Sequence, residues 1–137
     1  PPYWMTYSGC SSGSVDCASD NLDKSYYDAY ADYLTNVVDW YGNQGLIFRT
    51  IEPFNETSRT QEGCYFSCST KNTIIKKVGI NLKNKGLSNQ TSISAADERC
   101  IDPHAKLYVS QYNTHAYGGT ERTLLNALQN KMEKGFG

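Results

Sequence analysis

Apolar and aromatic side chains fall on one helical face at Tyr26, Tyr30, Leu34, Val37, Val38 and Tyr41. That spacing predicts a helix capped at Asn21 and closed by Gly42 and Gly45, with the tyrosines at 26, 30 and 41 on its buried side. A run of β-formers, LIFRTI at residues 46–51, follows and stops at Pro53, which cannot donate to a sheet ladder. Ile74, Ile75, Val78 and Leu82 mark a second helix, capped by Ser69 or Thr70 and stopped at Lys85-Gly86. Residues 92–96 and 107–113 read as two more strands. Thr120 caps a last helix carrying Leu124, Leu125, Leu128 and Met132.

The order is helix, strand, helix, strand, strand, helix. Each strand delivers polar residues into the loop at its C-terminal end: Asn55-Glu56, then Asp97-Glu98, then THAYGG at 114–119. This pattern predicts a parallel α/β architecture with its site at the strand ends, either a (β/α) barrel or an open doubly wound sheet. No G-x-G-x-x-G or phosphate loop supports a nucleotide-binding sheet. Only seven residues separate Glu98 from Lys106, fewer than a parallel crossover with its helix usually needs. The helix between the last two strands is therefore expected to be deleted.

Composition narrows the function classes. The 137 residues suit one domain, and a net charge of −1 without charge runs argues against nucleic acid or an anionic membrane as partner. No apolar stretch approaches the roughly 20 residues of a membrane span. The chain opens at Pro1-Pro2-Tyr3-Trp4 without a leader, so any secretion signal is expected to have been removed or to lie outside it. Eleven tyrosines, two tryptophans and the sequons Asn55-Glu56-Thr57 and Asn89-Gln90-Thr91 fit an extracellular protein handling sugar. Five cysteines suit the same setting, and Cys10/Cys17 and Cys64/Cys68 lie near enough in sequence to close local loops. Zinc is the competing reading, but the six- and three-residue gaps miss the usual spacing and no histidine is near, so no metal or cofactor is expected.

The motifs "PPYWMTYSGC", "IFRTIEPFNE", "QEGCYFS", "KGLSNQTSISAADE" and "QYNTHAYGGTERTLL" together resemble glycoside hydrolase family 30, in the retaining clan built on (β/α) barrels. The likeness is greatest to fungal endo-β-1,6-galactanase-like members. It implies a partial TIM barrel of three to four βα units over residues 1–137, acting on β-linked polysaccharide such as β-1,6-galactan. By the same resemblance Glu56 is the general acid/base and Asn55 binds the sugar's 2-hydroxyl. His115 and Tyr117 line the site, Trp4 closes one side, and Asp97 or Glu98 sits at the mouth of the next strand. Read without the motifs, Glu56 is a loop glutamate, His115 a structural histidine, Tyr117 and Trp4 packing residues, and Asp97 and Glu98 a cap for the next element.

A retaining glycosidase needs two carboxylates about 5–5.5 Å apart. The resemblance places the nucleophile on a later strand, expected beyond Gly137; Glu133 ends a helical stretch instead. A complete barrel needs about 250 residues and eight strands. The loop after Glu56 is shorter than in the relatives, and Thr57 stands where they carry proline, which creates the sequon at Asn55. These departures predict a chain catalytically incomplete on its own. They leave as the alternative a non-catalytic carbohydrate-binding or secreted disulfide protein on the same fold. Unpaired strand edges would favour self-association.

Overall fold

The computed structural model describes residues 1–16, 18–55, 57, 63–95 and 103–112. Among them the order is α1 (Tyr27–Asn43), β1 (Thr50–Ile51), α2 (Cys68–Asn84), β2 (Ser92–Ala95), α3 (Pro103–Lys106) and β3 (Val109–Tyr112). The three strands form one parallel sheet in the order β1-β2-β3. Thr50 pairs with Ser92 and Ile93 with Val109, and the register shifts between Ile93 and Ser94. The final predicted helix, from Thr120, lies outside the described residues.

Local chemistry moves several predicted boundaries. Asp23, rather than Asn21, opens the first helical segment: its carboxylate accepts the Ser25 amide over a single 3₁₀ turn, Lys24–Tyr26, that runs into α1. Asn21 is fully buried and serves the preceding segment, accepting from the Ser8 amide and donating to the Cys10 and Ser12 carbonyls. Gly42 lies within α1, and the stop is Gly45, at φ +85°. There the Leu46 amide reaches back to the Tyr41 carbonyl and the Gly45 amide to Gly42, a Schellman closure. Leu46 is thereby held in the cap, and the strand predicted from residue 46 begins only at Thr50, leaving Leu46 and Ile47 exposed.

The second helix starts two to three residues earlier than predicted. Ser67 is its cap, accepting the Thr70 amide at 3.3 Å, while Asp20 takes the Ser67 amide and both the Ser67 and Thr70 hydroxyls. At its end, Gly86 at φ +72° and the Leu87-to-Leu82 bond repeat the closure of α1, with Leu82 and Leu87 both buried there.

The crossover from β2 to β3 keeps one helical turn, α3, where deletion was expected. Ala105 of that turn is fully buried, and the next turn brings Tyr108 onto α2 at Gly79. A β-carbon at Gly79 would lie 2.2 Å from the Tyr108 ring and 2.8 Å from its Cβ, so only glycine admits this approach. The turn ends with the Tyr108 amide on the Ala105 carbonyl, which delays β3 to Val109 and leaves Leu107 in solvent.

The core lies between the helices and the sheet, around Ile74, Ile75, Val78, Ile93 and Val109. Of the predicted buried tyrosines only Tyr30 is buried. Tyr26 is 38% exposed in the 3₁₀ turn, and Tyr41 is 40% exposed, stacked edge-on against Trp40 and Phe48. A line of contacts spaced four residues apart joins the two helices: Lys77 to Asp28, Asn81 to Asp32 at 2.8 Å and Lys85 to Asn36 at 2.8 Å.

Candidate active site at the end of the first strand

The segment after β1 is held from three directions. The Tyr30 hydroxyl, reaching up from α1, donates to the Pro53 carbonyl at 2.7 Å in a buried contact. Phe54 is buried and meets the Phe66 ring edge-on, with centroids 4.9 Å apart. Beyond Asn55, the buried Thr57 hydroxyl accepts from the Lys71 ammonium at 3.0 Å, and Lys71 itself is only 3% exposed. Helices α1 and α2 therefore both grip the turn that follows the strand.

Opposite this turn, the N-terminal segment is stitched to residues 63–66. Gly13 and Cys64 form a bridge, the Gly13 and Tyr65 amides bond to Gly63 and Gly13, and the Asn21 amide bonds to Tyr65. Between the two lies a cavity of about 450 Å³, lined by Glu52, Pro53, Phe54 and Asn55 on one side and by Ser11, Gly63, Cys64 and Phe66 on the other. Tyr30 forms part of its wall and also of an adjoining cavity of about 410 Å³, lined by Tyr3, Trp4, Tyr33 and Leu34. Asn55 thus lies exposed in the first cavity, and Trp4, 57% exposed and edge-on to Tyr3 at 5.2 Å, lies in the second. Trp4 is a surface residue here, not part of the core. Glu56, Asp97, Glu98, His115 and Tyr117 lie outside the described residues, as does Glu133.

Burial pushes the Cys64 thiol up from its ordinary pKa, so it stays protonated and unreactive at neutral pH. Cys10 and Cys64 are both free thiols, so neither predicted local loop closes; Cys68 is disulfide-bonded, to neither of them. The two sequon threonines have structural work of their own: Thr57 accepts from Lys71, and Thr91, 2% exposed, donates to the Phe48 carbonyl at 2.7 Å. Thr57 therefore does more than create a sequon, because a proline there would leave the Lys71 ammonium without this acceptor. Among the described residues no group of three or more His, Cys, Asp or Glu side chains gathers to hold a metal, and no helix is long and apolar enough to cross a membrane.

Glu52 is the residue that the strand-end reading overlooked. It sits four positions before Glu56, half-buried, and lines the cavity beside Asn55. Its signal was its place: it follows the last paired residue of β1 directly, at the C-terminal strand end where a barrel's site is built.

Residues 1–113 match the profile of O-glycosyl hydrolase family 30. The chain belongs to that family. It is 31% identical over 154 aligned positions to an endo-beta-1,6-galactanase of Hypocrea rufa, an alignment that covers 98% of this chain and 31% of that protein. Among solved structures, SrfJ from Salmonella typhimurium superposes with a TM-score of 0.81 at 16% identity, over 99% of this chain and 33% of that one. An endo-beta1,6-glucanase superposes at 0.70 with 23% identity, over 99% of this chain and 34% of that one. The likeness to these structures establishes the fold: the parallel βα units of this family 30 chain are a segment of a (β/α) barrel. The chain spans about one third of the length of the relatives it matches.

Proposed function

We propose that this family 30 chain carries the acid/base end of a retaining glycosidase that acts on β-linked polysaccharide, with β-1,6-linked galactan as the first substrate to test. The observation that supports it most is the cavity at the C-terminal end of β1, because barrel glycosidases do their chemistry at that end and residues Glu52 to Asn55, directly before Glu56 in sequence, line it. In this reading Glu56 protonates the departing glycosidic oxygen as positive charge develops at the sugar's anomeric carbon. It then deprotonates the incoming water. Asn55 orients the sugar through its amide, and Trp4 supplies an apolar platform from the adjoining cavity. Asp97, Glu98, His115 and Tyr117 would complete the rim, and the nucleophilic carboxylate would come from another strand. Secretion belongs to the same proposal, as the setting in which such a polysaccharide is met.

The experiment is titration of the chain with β-1,6-linked galacto-oligosaccharides together with an assay for released reducing sugar. The reading expects saturable binding that Asn55→Ala weakens. Any hydrolysis should fall about 10²–10⁴-fold on Glu56→Gln, the usual worth of a positioned general acid. Absence of binding, or hydrolysis that survives Glu56→Gln unchanged, refutes it.

A further inference from the structure

The four residues after β1 divide into two pairs. Pro53 and Phe54 fix the turn, the first through its carbonyl on the Tyr30 hydroxyl and the second through its ring against Phe66. Glu52 and Asn55 flank that fixed pair, and both line the cavity. A turn held at its centre presents its two ends in a set geometry, which is what a binding site needs from its polar groups.

The described wall is poor in strong acceptors. The Tyr30 hydroxyl is committed to Pro53, and the buried Cys64 thiol is a weak donor held protonated. Asn55 offers one amide oxygen and two N–H groups. Glu52 is the only carboxylate on the described wall, and its two oxygens hold about four lone pairs, enough to accept from a ligand while keeping contacts within the protein. A carbohydrate brings many hydroxyl donors close together, and a carboxylate can take two neighbouring ones at once. Such charge-assisted bonds are roughly twice as strong as neutral ones.

We infer that Glu52 is a substrate-binding residue of this site, accepting a pair of adjacent sugar hydroxyls. It thereby sets which sugar the cavity takes, separately from the proton transfer assigned to Glu56. The inference rests on the glycosidase reading above and deepens it.

The test is calorimetric titration of the 137-residue chain and of Glu52→Gln with β-1,6-linked galactotriose and with its mono-deoxy analogues, with circular dichroism confirming that each variant folds. Glu52→Gln keeps the shape but exchanges one acceptor oxygen for a donor, so affinity should fall about 10–100-fold. The analogue lacking an accepted hydroxyl should bind the unmodified chain more weakly than galactotriose does, and should bind Glu52→Gln no more weakly. Glu52→Asp, one methylene shorter with its charge kept, should lie between the two, and it carries the test if the glutamine variant does not fold. Unchanged affinity in Glu52→Gln or Glu52→Asp, with Asn55→Ala still weakening binding, overturns the role of Glu52 and leaves the glycosidase reading standing. Failure of both Glu52 variants to fold makes the residue part of the scaffold and overturns it equally. No saturable binding by the unmodified chain overturns both readings.

Discussion

Helices α1 and α2 are each 17 residues long, but they are used differently. α1 is the richer in large apolar and aromatic side chains, with Tyr27, Tyr30, Tyr33, Leu34, Val37, Val38, Trp40 and Tyr41, yet it buries only Tyr30, Ala31, Thr35 and Val38. α2 carries lysines and asparagines along its length and buries eight residues, Lys71 and Asn72 among them. Neighbours explain the difference. α2 is packed against α1 on one side, against β2 beneath, and against α3 and Tyr108 beyond. α1 meets α2 and the short turn before it, and its other flank, with Tyr33 and Trp40, is open. Burial in a layered α/β segment follows an element's place in the layers more closely than its hydrophobicity.

The largest expected effect tests this directly. Ile75 of α2 is fully buried in the core, so Ile75→Ala should cost about 2–5 kcal/mol, the transfer loss plus the cavity left behind. Trp40 of α1 is a larger residue but 59% exposed, and Trp40→Ala should change stability by only about 0.5 kcal/mol. Urea unfolding of both variants measures the two. Equal costs would mean that side-chain size, not position in the layers, sets stability here.

A second pair sharpens the contrast, because each helix contains a glycine. At Gly42 of α1 an added β-carbon meets nothing within 4 Å, so Gly42→Ala should stabilise the chain by about 0.5–1 kcal/mol through helix propensity. At Gly79 of α2 the same β-carbon collides with the Tyr108 Cβ, which is tied to the backbone and cannot swing aside. Gly79→Ala should therefore destabilise by about 1–3 kcal/mol despite alanine's better propensity. One substitution thus has opposite signs in two helices, and thermal unfolding resolves them. Gly79→Ala combined with Tyr108→Gly, which removes the Cβ as well as the ring, should relieve the clash and give non-additive costs.

The two long helices and the parallel α/β architecture were legible in the sequence because both helices carry clear periodicity and the strand ends carry polar motifs. The caps were less so. Asn21, Ser69 and Thr70 are all good capping types, and the choice of Asp23 and Ser67 depended on which side chains the N-terminal segment and Asp20 had already claimed. The strand start at residue 46 was misread because Leu46 looks like a β-former, while the Gly45 closure takes its amide first. Tyr26 and Tyr41 were misplaced because periodicity identifies an apolar face without saying whether anything covers it. At the candidate site, Asn55 was named through the resemblance and lines the cavity, whereas Glu52, inside the same motif, had no role assigned to it and stood out only once the cavity wall placed it beside Asn55.

A last contrast returns to α1, whose one deeply buried tyrosine serves the site. Tyr30→Phe removes the donor from the buried Pro53 carbonyl and should cost about 1 kcal/mol near neutral pH. It should also change the alkaline limb. Burial, reinforced by the neighbouring Cys64 and Tyr33, pushes the Tyr30 phenol above its ordinary pKa. The folded chain keeps that proton where the unfolded chain releases it, so the stabilisation is fully present below about pH 10 and declines as pH rises beyond it. The phenylalanine variant should lose this part of the decline and keep the parts due to the Cys64 thiol, which begins near about pH 8.5, and to the less buried Tyr27 phenol, both raised in the same way by burial. Urea midpoints followed from pH 7 upward separate the two. If the steep alkaline loss persists in Tyr30→Phe, the phenol is not the buried group responsible, and α1 would contribute to the site through packing alone.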